Sequence, residues 1–231
     1  MSFRFQDKAP AGYRHPDANP YLKIHRSYGP PVLTATQAQG WAGRWEACFG
    51  VARPLHVEIG TGNGFFFAGM ADRHRDRNWL GIEIRFKRVV LTARKLQGLS
   101  AAEHARIARY DAHVVDELFA DGEIAGLYVN HPDPWDKERW AKNRLLGPAW
   151  LDAILPKLAA GAQVRVKTDH DVNVDALLAA VAHRPLDLIG LTRDVEAEGT
   201  PWGDDDVETN YQRKFREKGE PVKAVWVEKP R

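Results

Sequence analysis

The sequence is short of cysteine, of long apolar runs and of net charge, and each shortage excludes a class of protein. Cys48 is the only cysteine, which excludes an intramolecular disulfide and a site built from several thiolates, and fits a reducing compartment. No stretch approaches the roughly 20 apolar residues of a membrane span, and the N-terminal segment has no apolar run of a secretory signal. We therefore expect a cytoplasmic protein that is neither exported nor embedded in a membrane.

Basic and acidic residues nearly balance. The chain has 33 Lys and Arg against 31 Asp and Glu, so its formal net charge is only +2. A long-range basic field cannot recruit a polyanion, and a nucleic acid has to bind local patches. Residues 1–50 and 207–231 each carry a surplus of three basic residues, the second with aromatic residues that could stack on a base. On the charges alone, a solvated surface is the better explanation.

The chain is long enough for one substantial core. With 231 residues and 44% hydrophobic content, a single domain is expected. Prolines and glycines interrupt every periodic pattern in residues 1–34, which we interpret as a flexible N-terminal arm. Residues 35–231 are then the domain.

Apolar strands alternate with helical patterns along that domain. The strands predicted are 55–60, 79–84, 105–110, 126–130, 163–168, 186–192 and 222–227, and the helices 36–49, 65–74, 86–96, 112–119, 148–158 and 174–182. This alternation indicates a Rossmann-like α/β fold, a mostly parallel seven-stranded sheet with helices on both faces. Ligands of such sheets bind beyond the carboxyl ends of the strands, where we expect the motifs to lie.

A glycine-rich turn follows the first strand of this series. Gly60, Gly62 and Gly64 allow close approach of a ligand to the main chain, and a helix with free amides comes next. Glu58 precedes the turn, and Glu83 ends the next strand, where a carboxylate can accept ribose hydroxyls. An ordinary turn with solvated acids accounts for the glycines alone about equally well, but the joint spacing of both acids favours a nucleoside site.

The residues around the turn also discriminate between nucleoside ligands. A dinucleotide fold requires a small residue three places after Gly62, and this chain has Phe65. Glu58 would repel a pyrophosphate, whereas the ammonium and sulfonium groups of S-adenosylmethionine favour a nearby carboxylate. The pattern therefore predicts S-adenosylmethionine and disfavours a nicotinamide oxidoreductase.

Two further aspartates follow later strands. Asp133 lies between two prolines that fix its backbone, and Asp169 follows the strand at 163–168. Both could face one pocket, although a turn aspartate and a helix cap are the ordinary alternatives. His131 and His170 lack a third ligand at recognisable spacing, so we interpret them as polar histidines and expect no metal.

Five segments together resemble the bacterial tRNA (guanine-N7)-methyltransferase family. They are EIGTGNGFF at 58–66, GIE at 81–83, PDPW at 132–135 with Lys137 and Arg144, KTD at 167–169 and TNYQRKF at 209–215. The resemblance runs from about Arg26 to the C-terminus, and PDPW with GIE is its most specific part. It implies a class I S-adenosylmethionine-dependent methyltransferase fold and methylation of guanine N7 in the variable loop of tRNA.

The resemblance also implies roles for single residues. It implies that Glu58, Glu83 and Asp111 bind the cosubstrate together with the glycine turn, and that Asp133 lies at the reaction centre. It further implies that the tRNA guanine is bound by Lys137, Asp169, Thr209 and Gln212. Candidates for further RNA contacts are Arg139, Lys142 and Arg144.

This chain departs from the family pattern mainly in the segments expected to face RNA. Residues 26–34 lack the family's arginines, and acidic residues are interspersed among the basic ones after Trp135. Gln212 stands where the family has glutamate, and His131 precedes the PDPW motif where an aromatic or small residue is usual. Another RNA or a small molecule as substrate, or a non-catalytic RNA-binding module, are the alternative functions, and the sequence does not define an oligomeric state.

Overall fold

The computed structural model describes residues 20–135 and 144–231, which form two compact units, one up to Ala120 and one from Asp121. The described residues contain eight strands, four in each unit. The sequence predicted seven, so that number is wrong. The strand that it missed is the two-residue β1, too short to give a periodic pattern. A single domain over 35–231 stays a prediction.

Unit 1 is built on four parallel strands in the order β1-β4-β3-β2. The strands are β1 Val32–Leu33, β2 Leu55–Ile59, β3 Asn78–Glu83 and β4 Ala105–Arg109. The helices are α1 Pro20–Ser27, α2 Ala35–Gln39, α3 Trp45–Phe49, α4 Phe65–Arg73 and α5 Phe86–Gly98, with a 3₁₀ helix at Ala112–Leu118. Every residue of β2 and β3 is buried, as expected for parallel strands covered on both faces.

The core of unit 1 depends on close packing of α5 and the sheet. Val89 and Ala93 of α5 are fully buried and form one cluster with Val32 and Ile107 of the strands. Gly81 in β3 leaves no room for a side chain, because a Cβ there would lie 2.7 Å from Thr61 and 2.8 Å from Ile107.

Part of the segment predicted to be an arm has regular structure. Pro20 begins α1, a position where its missing N–H costs no helical hydrogen bond. A capping box between Thr34 and Gln37 begins α2. Pro20 is therefore compatible with this helix, and residues 1–19 lie outside the described part.

Unit 2 has four strands in the order β5-β6-β8-β7. They are β5 Ile124–Asn130, β6 Leu158–Thr168, β7 Asp187–Thr192 and β8 Lys223–Glu228. β5 and β6 are parallel, whereas β8 pairs antiparallel with both β6 and β7. The helices are α6 Pro148–Ile154, α7 Asp171–Val181, α8 Val195–Glu198 and α9 Asn210–Lys218, with a 3₁₀ helix at Leu155–Lys157.

Asp205 and Asp206, which follow α8, form ion pairs with two buried basic residues of β6. Arg165 is 6% exposed and Lys167 1%. The Arg165 guanidinium donates to Asp205 Oδ2 at 2.9 Å, and Lys167 Nζ donates to Asp206 Oδ2. A buried charge needs such a partner, because desolvation without one costs several kcal/mol. Asp205 and Asp206 are thus counter-charges of the core.

Candidate active site

The glycine turn links the end of β2 to the end of β3 in unit 1. The amides of Gly60 and Thr61 donate to the Ile82 carbonyl at 2.8 and 3.2 Å. Gly60 and Gly62 have φ values of 77° and 55°, and nothing lies within 4 Å of a Cβ built on either. The turn therefore exposes main chain that a ligand can approach closely, in a conformation that favours glycine.

Gly64 has a different role in the same turn. Its φ is 78°, and a Cβ on it would lie 2.5 Å from Thr92 Oγ1 and 2.8 Å from Thr92 Cα. Gly64 thus lets the start of α4 pack directly against α5. Phe65, which argued against a dinucleotide, is 42% exposed, with Lys95 Nζ 4.2 Å from its ring centroid.

Glu83 holds the turn in place. Its Oε2 accepts from the Gly62 amide at 3.0 Å and its Oε1 from the Arg85 amide at 2.9 Å. The side chain is 4% exposed. Burial raises its pKa, although these amides and the Arg88 guanidinium at 3.8 Å act in the opposite direction. The Ile84 amide acts on the carboxylate in the same direction as those of Gly62 and Arg85.

The other two predicted cosubstrate acids lie on neighbouring strands. Glu58 is in β2, opposite Gly81 of β3, and is 1% exposed. Asp111 follows β4 and caps the 3₁₀ helix, because its Oδ1 accepts from the His113 amide at 3.0 Å. Three adjacent parallel strands therefore each carry an acid at or near their carboxyl ends. Exposed main chain beside these acids fits a nucleoside with cationic groups, such as S-adenosylmethionine.

In unit 2, Asp133 is exposed on a loop whose backbone is held from both sides. Asn173 Nδ2 donates to the Pro132 carbonyl at 3.0 Å. The Arg144 guanidinium donates to the carbonyls of Pro134 and Trp135, both at 3.2 Å. The loop thus presents its carboxylate to solvent from a fixed backbone. Arg144, a candidate RNA contact in the sequence, contacts this loop.

His131 connects Asp169 to Thr209 in the same unit. Its Nδ1 lies 3.1 Å from Asp169 Oδ1, and its Nε2 lies 2.9 Å from Thr209 Oγ1. His170 Nε2 lies 2.9 Å from the other Asp169 oxygen. Burial lowers the pKa of His131. Burial acts to raise the pKa of Asp169, but the hydrogen bond from His131 and the nearby charges hold it below its ordinary value.

Thr209 and Gln212 form the first turn of α9. Thr209 Oγ1 accepts from the Gln212 amide at 2.8 Å and caps the helix. Gln212 is 8% exposed, and its Oε1 accepts from the buried Lys167 ammonium at 3.0 Å. The amide oxygen of Gln212 is therefore occupied within the protein.

The chain is similar to known methyltransferases. The family described as "Putative methyltransferase" matches residues 52–225. The tRNA (guanine-N(7)-)-methyltransferase of Bacillus licheniformis is 32% identical over 196 residues, which cover 85% of this chain and 90% of that protein. The chain belongs to the tRNA (guanine-N7)-methyltransferase family. The family resemblance drawn from the motifs is thereby confirmed.

Solved structures show the fold of this family member. The 16S rRNA methyltransferase KamB superposes with a TM-score of 0.60 at 16% identity, covering 81% of this chain and 93% of that one. The geranyl diphosphate C-methyltransferase of Streptomyces coelicolor, crystallised with S-adenosyl-L-homocysteine, gives a TM-score of 0.52 at 15% identity, with coverages of 85% and 76%. The predicted class I methyltransferase fold is confirmed.

Some contacts of this family member could not be found from the sequence, and some of the predicted site residues lie outside the described part of the chain. Lys137, Arg139 and Lys142 lie outside that part of the chain. A helix cap was the alternative for Asp169, but the N-cap residue of α7 is His170, which makes no side-chain capping hydrogen bond. Asp169 contacts two histidines instead. Both histidines, interpreted from the sequence as polar histidines, contact Asp169, His131 from a buried position and His170 from a partly exposed one. The signal available was that His131 departs from the family pattern. Within 20–135 and 144–231, no group of three His, Cys, Asp or Glu could hold a metal ion, and no helix is long and apolar enough to cross a membrane.

Proposed function

We propose that the chain transfers the methyl group of S-adenosylmethionine to N7 of a guanine in tRNA, with Asp133 at the reaction centre. The observation that carries the proposal is the exposed Asp133 carboxylate on a loop held by Asn173 and Arg144. A carboxylate fixed in this way is preorganised for charge that develops during a reaction.

Unit 1 supplies the cosubstrate side of the proposal. When bound, S-adenosylmethionine supplies a methyl group on a positively charged sulfur. We assign Glu83 to the ribose hydroxyls, because it ends β3 beside the glycine turn. Glu58 and Asp111 complement the cationic groups, and Gly60, Gly62 and Gly64 allow the main chain to come close.

Guanine N7 needs no general base, because its lone pair lies in the ring plane and carries no proton at neutral pH. Positioning then dominates the catalysis. The N1–H and N2–H₂ groups of guanine are donors, so Asp133 and Asp169 can hold that edge while N7 stays free to react. Methylation leaves a positive charge on the base, which the carboxylates stabilise. In this proposal Thr209 and Lys137 also bind the guanine.

tRNA binding needs basic groups, and the proposal places them on Lys137, Arg139 and Lys142 and in residues 207–231. Affinity for tRNA should then fall as salt rises, while cosubstrate affinity barely changes. A flat salt response would leave these residues as ordinary surface. A cytoplasmic location belongs to the proposal, since a tRNA substrate is available there.

Nucleoside analysis tests the function. The full chain is incubated with unmodified tRNA and labelled S-adenosylmethionine, and the digested RNA is examined for N7-methylguanosine. Asp133→Asn should lower the single-turnover rate roughly 10²-fold or more while cosubstrate affinity is retained. A different labelled nucleoside would indicate another RNA substrate. Cosubstrate binding without methylation of any RNA, or equal losses of rate and affinity in the variant, would overturn the proposal.

A further inference from the structure

His131 lies where three parts of unit 2 meet. It follows β5, and its ring contacts Asp169 after β6 and Thr209 at the start of α9. The ring centroids of Tyr211 and Phe215 on α9 are each 5.6 Å from the His131 centroid. The His131 side chain is 4% exposed, so its two nitrogens are committed to these neighbours.

The backbone of His131 is strained where it places this ring. Its φ is 49°, in the left-handed region that a non-glycine residue enters at a cost of about 1 kcal/mol. The His131 amide donates to the Lys167 carbonyl at 2.7 Å, which anchors the conformation to β6. The fold therefore pays a conformational cost to hold the imidazole between Asp169 and Thr209.

The hydrogen bonds define one protonation pattern. An ionised Asp169 can only accept, so His131 Nδ1 must carry a hydrogen. Thr209 Oγ1 already accepts from the Gln212 amide, and its own hydrogen points to Nε2 if the imidazole is neutral. The lowered pKa values of both His131 and Asp169 agree with this neutral Nδ1–H tautomer beside a carboxylate.

This pattern matters because Gln212 is not a substitute acceptor. The Gln212 side-chain oxygen already accepts from Lys167. Of the three residues assigned to guanine in this part of unit 2, Asp169, Thr209 and Gln212, only Asp169 therefore offers a carboxylate. Its side chain is 15% exposed, and its Oδ2 faces the partly exposed His170. A donor group of a ligand can therefore reach Asp169 from the solvent side, while His131 holds it from the buried side.

We propose that His131 is a positioning residue for guanine recognition, which fixes Asp169 as an ionised acceptor and orients Thr209. The inference rests on the proposed function and deepens it. His131 does not touch the base itself. It acts through Asp169, which His170 also contacts and whose backbone carbonyl accepts from Lys223 Nζ. The charges of Lys167 and His170 act on His131 itself. Tyr211 faces His131 from α9.

Two amide variants separate the two contacts. In His131→Asn the amide nitrogen can take the place of Nδ1 and donate to Asp169, whereas in His131→Gln it can take the place of Nε2 and reach only Thr209. His131→Phe keeps a ring without either contact. The exposed His183, replaced by phenylalanine, is the matched control. Each variant is assayed for tRNA methylation, cosubstrate affinity and thermal unfolding.

We expect His131→Phe and His131→Gln to raise KM for tRNA roughly ten- to hundredfold, with cosubstrate affinity unchanged, because Asp169 loses a charge-assisted hydrogen bond. His131→Asn should remain within a fewfold of the wild type. Burial without the His131 donor raises the pKa of Asp169, so the acidic limb of the kcat/KM profile should move to higher pH in His131→Phe but not in His131→Asn. If His131→Phe does not fold, the Asn and Gln pair carries the test.

Nitrogen NMR of the free wild-type protein gives a readout that does not depend on activity. We expect the neutral Nδ1–H tautomer of His131 at pH 7, assigned by its loss in His131→Asn. An Nε2–H tautomer or a cationic ring would overturn the inference. So would equal KM values and pH profiles in the Asn and Phe variants while the wild type makes N7-methylguanosine. If the wild type itself makes none, the proposed function fails, and the inference falls with it.

Discussion

Replacing Gly64 by alanine tests how tightly the glycine turn packs in unit 1. The new methyl group would lie 2.5–2.8 Å from Thr92, including its backbone Cα, so rotation of a side chain cannot remove the clash. The left-handed φ of 78° adds about 1–2 kcal/mol, and overpacking adds about 1–3 kcal/mol. We therefore expect a loss of about 2–5 kcal/mol, or about 4–20 °C in the midpoint of thermal unfolding.

Gly62→Ala is the matched variant in the same turn. Gly62 also has a positive φ, 55°, but no atom lies within 4 Å of its Cβ position, so only the cost of about 1–2 kcal/mol for the backbone remains. Its amide can still donate to Glu83. We expect a shift of a few degrees in thermal unfolding and at least about a tenfold loss of S-adenosylmethionine affinity by calorimetry. Equal stability losses in the two variants, or unchanged affinity in Gly62→Ala, would refute the reasoning.

Three further predictions follow from charges and loop contacts. Asp206→Asn removes a carboxylate that pairs with the buried Lys167 ammonium and should cost about 3–5 kcal/mol in chemical denaturation, whereas Glu220→Gln on the surface should cost almost nothing. Arg144→Lys replaces the guanidinium, whose two nitrogens donate to two loop carbonyls, by a single ammonium, and should lower the methylation rate at least about tenfold with cosubstrate affinity intact; equal rates would contradict the loop contact. Burial lowers the pKa of His25 from 6.5 to about 4, so the unfolded chain binds a proton first and stability falls as pH drops from about 6.5 to 4. His25→Gln should flatten that pH dependence of thermal unfolding, and an unchanged slope would show that other groups cause it.

The β-α alternation was predictable because it depends on local patterns. The runs at 55–60 and 79–84 contain apolar residues with only His56, Glu58 and Glu83 as polar side chains, and β2 and β3 are buried at every position. α9 was not predicted as a helix, because it is polar at nearly every position and depends on Thr209 and Gly219 at its two ends. β1 was missed because two residues carry no periodicity.

The sequence allowed several residues of the candidate site to be named, but not the side chains and main-chain groups that they contact. Glu83 could be predicted because it ends a strand, and Asp133 because it lies between two prolines. That Glu83 binds the Gly62 amide, and that Arg144 holds the Asp133 loop, depends on backbone geometry over 10 to 21 residues. The partner of His131 is 38 residues away, and no local pattern relates such positions. Departure from a family motif was the only mark that His131 carried.

The shared Lys167 ammonium has a consequence for how relatives of this chain can diverge. Gln212 offers it a neutral oxygen, so Asp206 supplies the carboxylate. A glutamate at position 212 would give Lys167 a second carboxylate and reduce the need for aspartate at 206, whereas losing Asp206 first would remove the carboxylate that pairs with Lys167. We expect these two sites to covary in an alignment of the family, with an evolutionary path that gains the second acid before it gives up the first.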